Sequence, residues 1–263
     1  MKTETSRPFR KLVPLIVAVT GLAISAQATV TVQNFWHVGE DNNVLPTDSV
    51  GSNPFDSGFG TRTASTLAHA PGGSTASLHF DGTTDGGWGG DWLNNTTVSV
   101  PSDNWAAELW VNLDSIDAGP VELLTLGNTD QAAQIGVENG NWAFVSFNWA
   151  YLNNSVAATA GSWTELAWVR DNGVNNFYVN GSLIGTDTST LVNNGAFTLA
   201  TQPGAGNREP TGYIDEIRFS TFAPGQFSTS DLMINQVPEP GTMALAGMGG
   251  GLMLLMWKNR RRV

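Results

Sequence analysis

The chain has 263 residues, no cysteine, and a formal charge of −11 from 12 basic and 23 acidic side chains. Thiol catalysis, zinc–thiolate sites and iron–sulfur clusters are therefore excluded. The acidic balance argues against nucleic acid, whose binding needs a basic footprint.

The first element is a leader. Lys2, Arg7, Arg10 and Lys11 make a basic opening, Leu12 to Ile24 is mostly apolar, and Ala26-Gln27-Ala28 follows. A positive opening, a short apolar stretch and a small-x-small site are the marks of a secretory signal peptide. About 13 apolar residues fall short of the roughly 20 that span a bilayer. We expect a signal helix over residues 1–28, with the mature chain beginning near Thr29.

Residues 29–237 then fit one domain. They hold only Arg62, Arg170, Arg208 and Arg218 against twenty-one acids, a formal charge of −17. Such a surface permits neutral glycans or divalent cations and disfavours anionic polymers. The same charge also serves solubility.

The pattern of this middle stretch is strand throughout. The predicted runs are 29–38, 76–80, 105–113, 121–126, 131–137, 142–149, 163–170, 175–179, 182–186, 196–200 and 211–220. In the third run, Trp105, Ala107, Leu109, Val111 and Leu113 share one face, while Glu108, Trp110 and Asn112 share the other. Turn signals such as Glu138-Asn139-Gly140 and Asp171-Asn172-Gly173 separate the runs. Asn180-Gly181, between Phe177-Tyr178-Val179 and Ser182-Leu183-Ile184, predicts a tight type I′ hairpin. Residues 39–66 are polar and glycine-rich and read as long surface loops. Many short strands without sustained helical periodicity predict an all-β, antiparallel β-sandwich of the jelly-roll kind.

Three stretches carry a family resemblance. They are Leu78-His79-Phe80-Asp81-Gly82, the run from Trp163 to Gly185, and Gly212-Tyr213-Ile214-Asp215-Glu216-Ile217-Arg218-Phe219-Ser220. In this order they resemble the laminin-G-like, concanavalin A-like jelly rolls. The resemblance covers roughly 76–234 of a domain over 29–234, and implies two antiparallel sheets packed face to face, one of them concave. It does not fix a function, because the fold hosts lectins, glycosidases, lyases and adhesion modules.

The last element is a tail over 237–263. Pro238-Glu239-Pro240 breaks helix, Thr242 to Trp257 carries no charge, and Lys258, Arg260, Arg261 and Arg262 close the chain. A helix over 242–257 would rise about 24 Å, short for a hydrocarbon core of about 30 Å, so it reads as a short transmembrane helix giving transient membrane association. The terminal basic cluster would stay cytoplasmic. Motif, apolar run and arginine cluster together resemble the PEP-CTERM sorting signal. That resemblance implies processing by an exosortase in a Gram-negative, exopolysaccharide-producing bacterium, with the product at the cell surface or in the extracellular matrix.

Candidate sites follow from residue type. Laminarinase-like glycosidases on this fold carry Glu-x-Asp-x-x-Glu on one strand, and no segment here matches it. Asp215 and Glu216 are adjacent, so a regular strand points them to opposite faces. His37, His69 and His79 form no triad pattern. We therefore expect a non-catalytic surface or matrix protein, glycan-binding or structural, with a divergent glycosidase or polysaccharide lyase as the alternative. Aromatic faces beside polar groups suit neutral polysaccharide: Trp110 with Glu108 and Asn112, and Trp149 with Tyr151. Arg170 and Arg218 are expected to pair with acids. A glycine-rich loop holding Asp81, Asp85 and Asp91 could turn oxygens toward calcium. The resemblance places Asp81 and Asp215 near a structural calcium in many relatives, so Asp81, Asp85 and Asp215 are the candidate ligands.

Overall fold

The alternation expected between Trp105 and Leu113 is present in full and sets the plan of the molecule. All five residues of its apolar face belong to one large core. The computed structural model describes residues 30–40, 45–68, 70–71, 73–82, 91–116, 119–127, 133–146, 150–191, 197–200 and 208–236. The expected signal helix, the loop containing Asp85, Trp149 and the sorting tail lie outside the described residues.

In chain order the strands are β1 (Thr31–Trp36), β2 (Ser57–Phe59), β3 (Arg62–Ser65), β4 (Ser77–Asp81), β5 (Trp92–Asn95), β6 (Trp105–Leu113), β7 (Val121–Leu126) and β8 (Ala133–Glu138). There follow β9 (Asn141–Ser146), β10 (Ala150–Ala157), β11 (Thr164–Asp171), β12 (Val174–Val179), β13 (Ser182–Asp187), β14 (Phe197–Ala200) and β15 (Thr211–Thr221). The first sheet runs β13-β12-β11-β6-β15-β4-β3, with β1 also paired to β15; the second runs β10-β9-β8-β7-β14-β5-β2. Every named strand pairing is antiparallel. Trp36, Trp105, Trp142, Trp168, Phe144, Phe177, Phe197 and Phe219 fill the space between the sheets. Large rings do here what disulfides do in many exported domains.

Among the described residues, three hairpins turn on Asn-Gly. Asn139-Gly140, Asn172-Gly173 and Asn180-Gly181 all have positive φ at both residues, as a type I′ turn requires. Residues 39–66, expected as loops, contain β2 and β3. These short strands, and β5, lack apolar alternation and form at the sheet margins by pairing with longer neighbours. β10, rich in asparagine, is held the same way at the other margin.

The polar face of β6 is not open to solvent. After β15 the chain returns across it as a 3₁₀ turn, Thr229–Asp231, and one short helix, α1 (Met233–Gln236). Ser228 caps the turn in a reciprocal capping box with Asp231. Leu232 and Phe222 close over Ala106, Ala167 and Val169, while Met233 packs on Trp110. Trp163 lies half-buried in this outer cluster.

A buried ionic network fastens this C-terminal latch. Arg218 of β15 donates from Nε and Nη2 to Glu108 Oε1 at 3.0 and 2.7 Å, and further to Asp231 O and Gln236 Oε1. The other Glu108 oxygen accepts from Met233 N at 2.7 Å, and Glu165 Oε1 accepts from Ile234 N at 3.2 Å. Burial and the neighbouring Glu108 push the Glu165 carboxyl up to about 8. Glu165 Oε2 accepts no hydrogen bond; protonated, it becomes a donor toward Glu108.

Candidate functional site

β15 is the longest strand, and it changes partner along one edge. Thr211 to Ile214 pair with β4, whereas Ile217 to Thr221 pair with β1. On its other edge the register with β6 slips between Asp215 and Arg218. That slip is a β-bulge, with Glu216 at φ +43°. Ile214 and Ile217 both enter the core. Asp215 and Glu216 must both leave it, so the expectation that they face opposite ways does not hold. Period-two alternation fails wherever an extra residue is inserted.

Above the bulge lies a pocket of about 320 Å³ lined by Phe35, His37, Glu40, Pro71, Gly73, Trp110, Glu216, Arg218, Met233 and Gln236. Its walls are the end of β1, the loop before β4, and α1. Phe35 and His37 pack ring on ring, 4.4 Å apart. His37 Nδ1 lies 2.9 Å from both oxygens of Glu216. The hydrogen bond to Glu216 raises the His37 pKa against the opposing effect of burial. Glu40 Oε1 accepts from the Thr75 amide and hydroxyl, each at 3.0 Å. One ligand atom from each of His37, Glu40 and Glu216 lies within 4.8 Å of the other two.

Asp215 sits behind the pocket, fully buried. It accepts from Ala70 N at 2.8 Å, Ser74 Oγ at 2.5 Å and Glu216 N at 2.7 Å. Burial nonetheless lifts its carboxyl to about 7.

The structure separates the residues that sequence reasoning grouped. Trp110 does reach the pocket, but it is only 5% exposed, packed against Ala70 and Met233. Glu108 is no ligand group, because Arg218 and the latch occupy both of its oxygens. Asn112 pairs with Tyr213 farther along β6 and does not line the pocket. Tyr151 belongs to β10, at the margin of the other sheet, and its expected partner Trp149 lies outside the described residues. Asp81 pairs with Thr211, four strand steps or roughly 13 Å from Asp215. Those two acids do not share one ion. Asp81 N approaches Asp91 instead, at 3.4 Å. Burial, with Asp81 nearby, raises the Asp91 carboxyl to about 6. Arg170, as expected, turns to Asp103, at 3.7 Å.

Sequence reasoning missed Phe35, Glu40 and the pairing of His37 with Glu216. The residues are 176 or more positions from Glu216 in the chain, so no local spacing announces them.

Comparison with known proteins bears on the fold and the tail. Residues 85–226 match the family model of the concanavalin A-like lectin/glucanases superfamily, and residues 236–262 match the PEP-CTERM protein-sorting motif. Among solved structures, domain 4 of AbnA, a GH43 extracellular arabinanase from Geobacillus stearothermophilus, in complex with arabinotriose, is 19% identical at a TM-score of 0.60, covering 80% of this chain and 99% of that one. A Trypanosoma rangeli sialidase in complex with sialic acid is 12% identical at 0.55, covering 77% of this chain and 32% of that one. The receptor-binding domain of botulinum neurotoxin type G is 9% identical at 0.52, covering 78% and 50%. At these identities the likeness is one of fold. No curated protein matches the chain.

Proposed function

Because this chain belongs to the concanavalin A-like lectin/glucanases superfamily and carries a PEP-CTERM sorting motif, we propose that it is an exported surface or matrix protein whose sandwich binds neutral polysaccharide without cleaving it. The motif itself points to export, processing by an exosortase and surface sorting in a Gram-negative bacterium. Removal of the tail then hands the domain to the matrix.

The pocket over the β15 bulge carries the binding reading. Phe35, Trp110 and Met233 give its lining an apolar part, and His37, Glu40 and Gln236 a polar one. An apolar ring face beside convergent polar groups is what sugar C–H and hydroxyl groups need. The relative bound to arabinotriose supplies a first probe.

A non-catalytic role is supported by how the acids are held. A glycoside hydrolase needs a protonated carboxyl that reaches the leaving oxygen. Asp215 stays protonated to about pH 7, yet it is closed off behind Ala70 and Ser74. Glu216 is paired with His37, and Glu40 is held through one oxygen by Thr75.

Calorimetric titration with arabinotriose and other neutral oligosaccharides tests the reading. We expect Phe35→Ala to weaken binding by about tenfold, the loss of one stacking ring. Absence of binding in the parent protein, or unchanged binding in Phe35→Ala, would refute the site. Release of reducing ends from the polymer would refute the non-catalytic assignment.

A further inference from the structure

We propose that His37, Glu40 and Glu216 form a site for one first-row divalent transition cation, of which zinc is the working probe, at the mouth of the pocket. The ligand atoms come from the turn that follows β1 and from the bulge in β15. They already lie within 4.8 Å of one another. A zinc ion bound at about 2.1 Å to each needs them about 3.4 Å apart. Glu40 is exposed, and its Oε1 alone is held by Thr75, so Oε2 is free to swing the remaining distance.

Glu216 gives an independent sign of a missing partner. The residue is 6% exposed, and its Oε2 accepts no hydrogen bond. Both of its oxygens approach His37 Nδ1, but that nitrogen carries at most one proton. Arg218 lines the same pocket, yet its guanidinium is committed to Glu108 and the latch. A cation between His37 and Glu216 satisfies the orphan oxygen and takes the place of the shared proton.

The donor set selects the ion. One imidazole nitrogen with two carboxylates suits first-row metals, whereas calcium takes oxygen ligands. Two contacts fix the ligands in place: Phe35 packs on the His37 ring, and Thr75 hydrogen-bonds Glu40. Three protein ligands leave one open position facing the pocket, for water or for a sugar hydroxyl. Only that last point rests on the glycan reading; the ion does not.

The experiment uses the full chain in detergent, stripped with a chelator and titrated calorimetrically with Zn²⁺, with Co²⁺ absorption as a second readout. We expect one ion per chain. Both His37→Gln and Glu216→Gln remove a ligand and should weaken uptake by about a hundredfold or more, beyond what loss of an outer-shell partner costs. His79→Gln, which disrupts the comparable His79–Asp114 pair at 2.8 Å, should leave it unchanged. If Glu216→Gln does not fold, the half-buried His37 decides the question alone. Absence of saturable uptake, or equal uptake by His37→Gln, overturns the proposal. Oligosaccharide titrations with and without zinc separate the two readings. Sugar binding without zinc uptake defeats the metal site alone, and zinc uptake without sugar binding defeats the glycan reading alone.

Discussion

Glu165→Gln should make the protein more stable, and only above mildly acidic pH. Glu165 is fully buried under α1 beside Glu108. Its carboxyl is raised from the ordinary 4.5 to about 8, first by burial and then by the Glu108 charge. The folded state therefore keeps a proton that the unfolded chain has already lost. A group raised in this way contributes fully below the unfolded value, and stability drains away as pH rises through the folded one. Each pH unit in that window is worth about 1.4 kcal/mol, so the whole window costs about 5 kcal/mol. At pH 7 about 3 kcal/mol of it has been lost. Glutamine keeps the shape, accepts from Ile234 N and donates to Glu108 at every pH. Thermal melts of variant and parent should coincide near pH 5 and separate by roughly 10–20 °C at pH 9 for a domain of this size. The difference between the two proteins removes the other titrating acids from the comparison. A gap that is the same at both pH values, or a parent protein more stable at pH 9, would show that Glu165 does not carry its proton into neutral solution.

Arg218→Met should cost about 3–5 kcal/mol, because it strands the buried Glu108 charge; urea denaturation measures this, and a loss below about 1 kcal/mol would contradict it. The same variant should expose the chain between Phe222 and Gln236 to limited proteolysis before the sheets unfold. Gly181→Ala should cost about 1–2 kcal/mol, since φ there is +72° and a Cβ would meet Ile234 at 3.1 Å. An unchanged melting temperature would mean that the hairpin relaxes without strain.

Much of the sandwich was legible in the sequence, and the limits have physical causes. β6 and β7 begin and end at the predicted residues, because turn-forming residues bound both runs: Asp103-Asn104 and Asp114 the first, Gly119-Pro120 and Gly127 the second. The Asn-Gly hairpins were legible because positive φ is a local demand on two residues. β2, β3, β5 and β10 were not, since their Ser, Asn and Gly residues take strand geometry only from a neighbour's hydrogen bonds. The site was less legible than the fold. Trp110 was chosen for the right face of β6, but the latch that buries it arrives from more than a hundred residues away. Asp215 and Glu216 were assigned to opposite faces because alternation is a local rule. The bulge that breaks it is set where β4 gives way to β1, a meeting of distant segments.

The latch has a mechanical consequence. α1 ends at Gln236, and the sorting motif follows at once. Any tension on the tail therefore enters the domain at α1 and passes through Arg218 and Glu108 into β15 and β6, two adjoining strands in the interior of their sheet. Tension delivered to a marginal strand would unzip the sheet one pair at a time. Delivered here, it must first break a cluster of buried charged hydrogen bonds held in parallel. While an exosortase grips its tail, the domain is moored amidships, and the mooring yields before the hull does.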